Sequence, residues 1–150
     1  ARDRHYRAPL FIHRREATFG DTLELVGYRL GQARLRAGEE TRLTVYWRAA
    51  RQPDRLLAVF NHLRAADGGS IWQQDSWPQA GVYTTNHWLE GEVVAESYTV
   101  RLAQGVTPGS YLLFTGVYDP ATGNRLAAFD DTGQRLVNDE VVLVEITVWE

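Results

Sequence analysis

Apolar and polar residues alternate with a period of two through most of the chain. Thr41 to Ala49 is the clearest run: Leu43, Val45, Trp47 and Ala49 face one way, and Arg42, Thr44, Tyr46 and Arg48 the other. That is the pattern of a strand with one buried and one wet face. Upstream, Leu23 and Leu25 share a face and then Val26, Tyr28 and Leu30 share the other, so the phase slips beside Gly27. A slip beside a glycine predicts a β-bulge. Leu56 to Arg64 and Ser70 to Trp77 flank Ala65-Ala66-Asp67-Gly68-Gly69, and the Asp-Gly pair predicts a hairpin.

Further on, Tyr98, Val100 and Leu102 alternate with Ser97, Thr99 and Arg101. Ser110 to Tyr118 is apolar on both faces and predicts a mid-sheet strand. Its exit, Asp119-Pro120-Ala121-Thr122-Gly123, is turn chemistry with glycine at the left-handed position, and a short strand, Arg125 to Phe129, is expected to pair back. After an acidic loop from Asp130 to Asn138, Glu140 to Trp149 is a strand with Val142, Val144, Ile146 and Val148 inward. No stretch keeps a helical period. The chain is therefore all-β with eight or nine strands.

Between a sandwich and a closed barrel, Pro108-Gly109-Ser110-Tyr111 decides. It matches the tyrosine-corner entry of immunoglobulin-like and fibronectin-like sandwiches, in which the tyrosine hydroxyl bonds back to the preceding loop. The expectation is a Greek-key β-sandwich, with a jelly roll as runner-up. Residues 19–150 form the single domain, and residues 1–18 are a basic linker or arm.

Composition changes this picture in three places. Cysteine is absent, which removes disulfides and thiolate metal sites. With no Met, the chain reads as a segment of a longer product. Charge is uneven: residues 1–16 hold five Arg against Asp3 and Glu16, a net +3 that leaves −6 for the rest of a chain whose total is −3. A mildly acidic body argues against a nucleic-acid partner. The arm reads as a solvated linker in preference to a lipid-binding segment, and no apolar run is long enough to span a bilayer.

Candidate chemistry is sparse. Ser70, Ser76, Ser97 and Ser110 lack a nucleophile-elbow context, and no glycine-rich phosphate loop exists. Asp75 with Glu90 or Glu92 is a weak glycosidase-type carboxylate pair. His62, Asp75 and His87 lack ligand spacing for a metal, and His62 reads better as a bonded strand histidine. Asp130-Asp131 with Asp139-Glu140 reads as a solvated acidic loop before a calcium site. No catalytic residue, cofactor or metal is expected.

One stretch concentrates the remaining interest. Leu56 to Trp88 holds three of the five Trp and two of the four His, and Pro78 to Trp88 is a long loop after the hairpin. Sugars stack their C–H faces on aromatic rings and need directional partners for their hydroxyls. Trp72, Trp77, Tyr83 and Trp88 are the candidate platforms, with Gln73, Asp75 and Asn86 as hydroxyl partners. Filling the core is the competing role for these aromatics. Exposure of Trp77 and Trp88 separates the two.

The series FGDTLELVGYRL, AGEETRLTVYWRA, VFNHLRAADGG, QQDSWP, YTTNHWLEGEVV and PGSYLLFTGVYDPATGNRL resembles a β-sandwich module at the C-terminal, extracytoplasmic end of bacterial polytopic membrane proteins of the glycosyltransferase type. Those proteins resemble the mannosyl- and aminoarabinose-transferring enzymes that use lipid-linked sugars. The resemblance runs from about Phe19 to the end. It implies an accessory, non-catalytic domain of unknown role, tethered to the cell membrane through its parent and acting in interaction or scaffolding. Its partner would be a neighbouring membrane domain of the same chain, or, in the alternative, a glycan held on the aromatic loop.

Overall fold

The computed structural model describes residues 3–81 and 83–150, with the side chains of residues 79 and 80 left aside; residues 1 and 2 of the basic arm lie outside it. Ten strands form two five-stranded sheets. In chain order they are β1 His13–Phe19, β2 Leu23–Leu30, β3 Arg34–Arg36, β4 Glu40–Ala49, β5 Ala58–Ala65, β6 Ser70–Ser76, β7 Val93–Arg101, β8 Gly109–Tyr118, β9 Ala128–Asp130 and β10 Val141–Trp149. Sheet I has the order β7-β4-β2-β1-β9, and sheet II the order β3-β10-β8-β5-β6. The chain changes sheet between β4 and β5 and returns between β6 and β7, the Greek-key manner of closing a two-layer core.

The alternating residues of β4 build that core: Leu43, Val45, Trp47 and Ala49 are buried with Leu57 and with Val59, Leu63, Leu113, Val117 and Ile146 from sheet II. In β2 the bulge falls where the phase slip predicts it. Leu25 pairs with Trp47 and Gly27 with Tyr46, which leaves Val26 as the extra residue. Val26 is thereby turned to the outer face of sheet I, where it clusters with Tyr46 and Val93, while Tyr28 returns to the core. The tyrosine corner is present. Tyr111 is buried, and its hydroxyl donates to the carbonyl of Thr107.

Four expectations are corrected. Among the described residues there are ten strands, because β1, all but its last residue read as part of the arm, pairs with β2 and β9, and because Arg34–Arg36 adds a short parallel edge to β10. The segment after Gly123 does not form a hairpin strand on β8. Arg125 makes a single bridge to Tyr118, and Ala128–Asp130 crosses to β1 in the other sheet, held there by Asp139 Oδ1 accepting from the Ala128 N–H at 3.0 Å. In β10 a bulge between Val142 and Val144 changes the phase. Val141 and Leu143 are buried there in place of Val142, Val144 is half buried, and Ile146 and Val148 point inward as expected.

The arm is also more than a linker. His5 bridges Val93, and Ala8 and Ile12 pack on Val26, Tyr46 and Val93. Arg4 reaches the buried Glu92 carboxylate at 2.8 Å and the Tyr83 hydroxyl at 2.6 Å, and Tyr83 itself donates to Glu92 at 2.7 Å. The arm thus covers apolar surface on sheet I that would otherwise face water.

Candidate functional site

The site is built from the outer face of sheet II. In an antiparallel pair, directly opposed residues share a face. Phe60 stands opposite Asp75 and His62 opposite Gln73, while Leu63, which faces the core, stands opposite Trp72. On β8 the outward residues are Leu112, Phe114, Gly116 and Tyr118, opposite Arg64, His62, Phe60 and Ala58.

The floor of this face is closely packed. Phe60 lies against Gly116, where a β-carbon would sit 2.1 Å from its ring, and the Arg125 guanidinium stacks 4.1 Å from the ring centroid. Arg125 is held by the Asn138 carbonyl at 2.9 Å and by Glu140 at 3.2 Å. Glu140, itself buried, also pairs at 2.7 Å with Arg64, whose guanidinium lies 4.5 Å from the Phe114 ring. Both cations stack on rings and share the Glu140 carboxylate, which ties them to this face of the sheet.

Above this floor run two adjoining hollows that share Asp75 and Tyr118. One, of about 330 Å³, is lined by Asp75, Ser76, Trp77, Gly81 and Tyr118. The other, of about 180 Å³, is lined by Phe60, His62, Asp75, Tyr118, Gly123 and Arg125. Trp77 is 50% exposed at the rim. His62 Nδ1 lies 3.0 Å from Arg64 Nη2. An arginine can only donate, so Nδ1 accepts and the neutral ring carries its proton on Nε2. That nitrogen is 3.7 Å from Asp75 Oδ1, too far for a direct hydrogen bond and a span that a ligand hydroxyl can bridge.

Burial and the neighbouring Arg64 charge lower the His62 pKa, against the opposing pull of Asp75. Burial and the Asp75 carboxylate raise that of Tyr118. At neutral pH the groove therefore offers a carboxylate acceptor, a phenol and a neutral imidazole N–H beside an exposed indole.

The expected site residues divide. Trp77 and Asp75 come together in the groove, and Gln73 is exposed on the same face beside His62. Trp72 is half buried against the core. Asn86 is exposed, accepts from Thr84 Oγ1 at 2.6 Å and lines neither hollow. Two candidates are corrected outright. Trp88 is 0% exposed, with its indole N–H donating to the Tyr83 carbonyl at 3.1 Å, and Tyr83 is buried with its hydroxyl on Glu92. Neither can serve as a platform.

Sequence reading missed Tyr118, Gly81, Gly123 and Arg125. The hairpin register set by the Asp67-Gly68 turn carries the signal for part of this, since it brings Asp75 next to His62 and, across β5, close to Tyr118.

The other candidate clusters are engaged locally. Glu92 is committed to Arg4, Tyr83 and the Leu89 N–H, which leaves Asp75 without a partner carboxylate there. Asp130 accepts from Thr132 and Gln134 within its own turn, Asp139 pairs with Arg135, and Glu140 with the two arginines. Among the described residues, no group of three His, Asp or Glu side chains is arranged to hold a metal. No helix among them is long and apolar enough to cross a membrane.

These features define a two-sheet β-sandwich domain with a tyrosine corner and a groove on the outer face of sheet II. No family model and no curated relative matches the chain. Among solved structures it is similar to the C-terminal domain of wzt, with a TM-score of 0.63 at 12% identity, over 93% of this chain and 81% of that one. It is also similar to the CARDB domain of the PF1109 protein from Pyrococcus furiosus, solved in complex with di-metal ions, with a TM-score of 0.49 at 9% identity over 88% of this chain and 93% of that one. At such identities the first likeness shows a shared fold. The second is too loose for any inference.

Proposed function

We propose that this domain is a non-catalytic accessory module of a membrane-associated protein of the glycosyltransferase type, acting on the extracytoplasmic side, and that its working surface is the sheet II groove, where it binds a saccharide. The observation that carries the reading is Trp77, half exposed at the rim of a hollow of about 330 Å³ that also presents Asp75 and Tyr118. An indole gives a sugar ring its stacking surface. Asp75, Tyr118 and His62 supply hydroxyl partners of both donor and acceptor kind. The parent context rests on the motif series read from Phe19 onward, and a sandwich fold is one that an appended module can take. With one ring and few hydrogen bonds, dissociation constants on the order of millimolar are expected.

The test is a heteronuclear NMR titration with a panel of neutral oligosaccharides. Saturable shifts at Trp77, Asp75 and Tyr118 are expected in the wild type. They should be lost in Trp77→Ala and kept in Asn86→Ala, whose side chain lines neither hollow. A wild type that shows no saturable shift across the panel sinks the glycan reading and leaves a module that acts through protein contacts.

A further inference from the structure

The N-terminal arm presents an apolar tip that nothing in the sandwich uses. Leu10 is 87% and Phe11 85% exposed, and Tyr6 on the same arm is 50% exposed. Folding gains nothing from leaving two adjacent large apolar side chains in water. Their exposure is imposed by the residues around them. On one side His5 is bonded through its carbonyl to the Val93 N–H at 2.7 Å, and Ala8 packs on the Val26, Tyr46 and Val93 cluster. On the other, Ile12 joins the same cluster and His13 opens β1. The tip itself is clamped by Arg29, whose Nε and Nη2 donate to the Phe11 carbonyl at 3.2 and 3.0 Å. Leu10 and Phe11 therefore project from an anchored turn.

We infer that this tip is a membrane-interface contact, in which Leu10 and Phe11 enter the boundary between headgroups and acyl chains of an anionic bilayer, with Tyr6 at headgroup level and Arg7 against the phosphates. The area separates this partner from a protein one. A stable protein interface needs about 800 Å² on each side, whereas two side chains on a turn offer a small fraction of that. A lipid surface accepts a small apolar tip and asks only for cations and an amphipathic aromatic at its edge.

The charges agree. Between Asp3 and His13 the only acid is Asp3, and Arg4 is taken up by Glu92. Arg7 has no carboxylate partner among the described residues. Arg14 borders a hollow also lined by Glu16, Asp130 and Asp131, so the attraction to anionic lipid falls mainly to Arg7 and the apolar tip carries more of the binding. The tip belongs to the arm on sheet I and the groove to sheet II, so this inference stands independently of the saccharide reading.

Flotation with vesicles of phosphatidylcholine, with and without phosphatidylglycerol, tests it on the 150-residue chain. The wild type is expected to float with the anionic vesicles. The double variant Leu10→Ser/Phe11→Ser, which alters only exposed side chains and should melt as the wild type does, is expected to lose roughly tenfold or more in partitioning. Arg7→Glu should lose less, and its deficit should shrink as salt is added. Trp77→Ala should float unchanged, which keeps the two surfaces apart. A wild type that stays with neither vesicle overturns the inference, as does a double variant that floats equally well. So does a concentration-dependent dimer, seen by sedimentation, that the double variant abolishes, because the tip would then belong to a second copy.

Discussion

On sheet I the outer face has an apolar cluster at Val26, Tyr46 and Val93, and the chain packs its own N-terminal arm on that cluster. On sheet II the outer face carries Arg64, Arg125, Glu140, His62 and Asp75 and stays open as a groove. The two solutions follow from what each face is made of. An apolar face gains from any segment that removes it from water, so a strap with Ala8, Ile12 and a bridge at His5 suffices. A face whose two arginines share one carboxylate and stack on its rings gains little from such a cover and can remain available for a ligand. Each solution depends on a glycine at its tightest point. Gly27 lets β1 pass, since a β-carbon there would lie 2.3 Å from the His13 carbonyl oxygen, and Gly116 lets Phe60 lie against it.

That pairing of glycines gives the sharpest way to break the comparison. Gly27→Ala drives a methyl group into backbone, which cannot move without unzipping β1 from β2. A loss of about 3 kcal/mol or more is expected by chemical denaturation. Gly116→Ala meets a side chain. A smaller loss, about 2 kcal/mol, is expected, and it should largely vanish when Phe60 is also shortened to Leu, because the clash has then lost its partner. If the two single variants cost the same and Phe60→Leu rescues nothing, the two faces are not held in the different ways described.

Between the faces, the tyrosine corner serves as a reference. Tyr111→Phe leaves the Thr107 carbonyl without its donor and should cost about 1 kcal/mol, with the arm and the groove both undisturbed. An unchanged denaturation midpoint would remove the corner from the account of stability.

The legible part of this molecule is the part governed by period and turn chemistry. Leu43, Val45 and Trp47 announce a half-buried strand, Gly27 marks the bulge, and Tyr111 after Pro108-Gly109 marks the corner, because each depends on residues close in sequence. What escaped reading depends on contacts between distant segments. The stretch from His13 to Thr18 looks like a basic arm because Arg14, Arg15 and Glu16 face water, yet Ala17, with Phe19 after it, carries it into the sheet.

Trp77 and Trp88 sit in the same aromatic, polar stretch, and no local pattern separates them. Trp88 is buried because Thr85 ties its loop to Arg55 and Leu57, and because Gly91 and Glu92 dock the loop on Ala49. Trp77 is exposed because it directly follows an edge strand. The groove was half visible: Asp75 and Trp77 are two residues apart at the end of β6, but Tyr118, Gly123 and Arg125 arrive from the end of β8 and its turn some 40 residues on, which sequence reading assigned to structure alone.

The smallest effect expected is a pH dependence confined to the open face. His62 is faced by Arg64 and Arg125, which disfavour its charged form, and by Asp75 and Glu140, which favour it. Burial tips the balance, so its pKa in the folded chain lies below the ordinary value of 6.5. The unfolded chain therefore takes up a proton at a pH where the folded chain does not. The His62 contribution to stability is complete above about 6.5 and is lost as pH falls from there through the folded pKa, with a slope no steeper than one proton allows, about 1.4 kcal/mol per pH unit. Comparing wild type with His62→Gln by denaturant titration between neutral pH and the folded-state titration isolates this one group. The variant should show a flatter profile across that window, while the arm of sheet I, where Arg4 and Glu92 make the ion pair, remains intact in both proteins. If wild type and variant lose stability in parallel, His62 is not held neutral against the sheet II floor, and the groove does not present the imidazole N–H that its hydrogen bond from Arg64 implies.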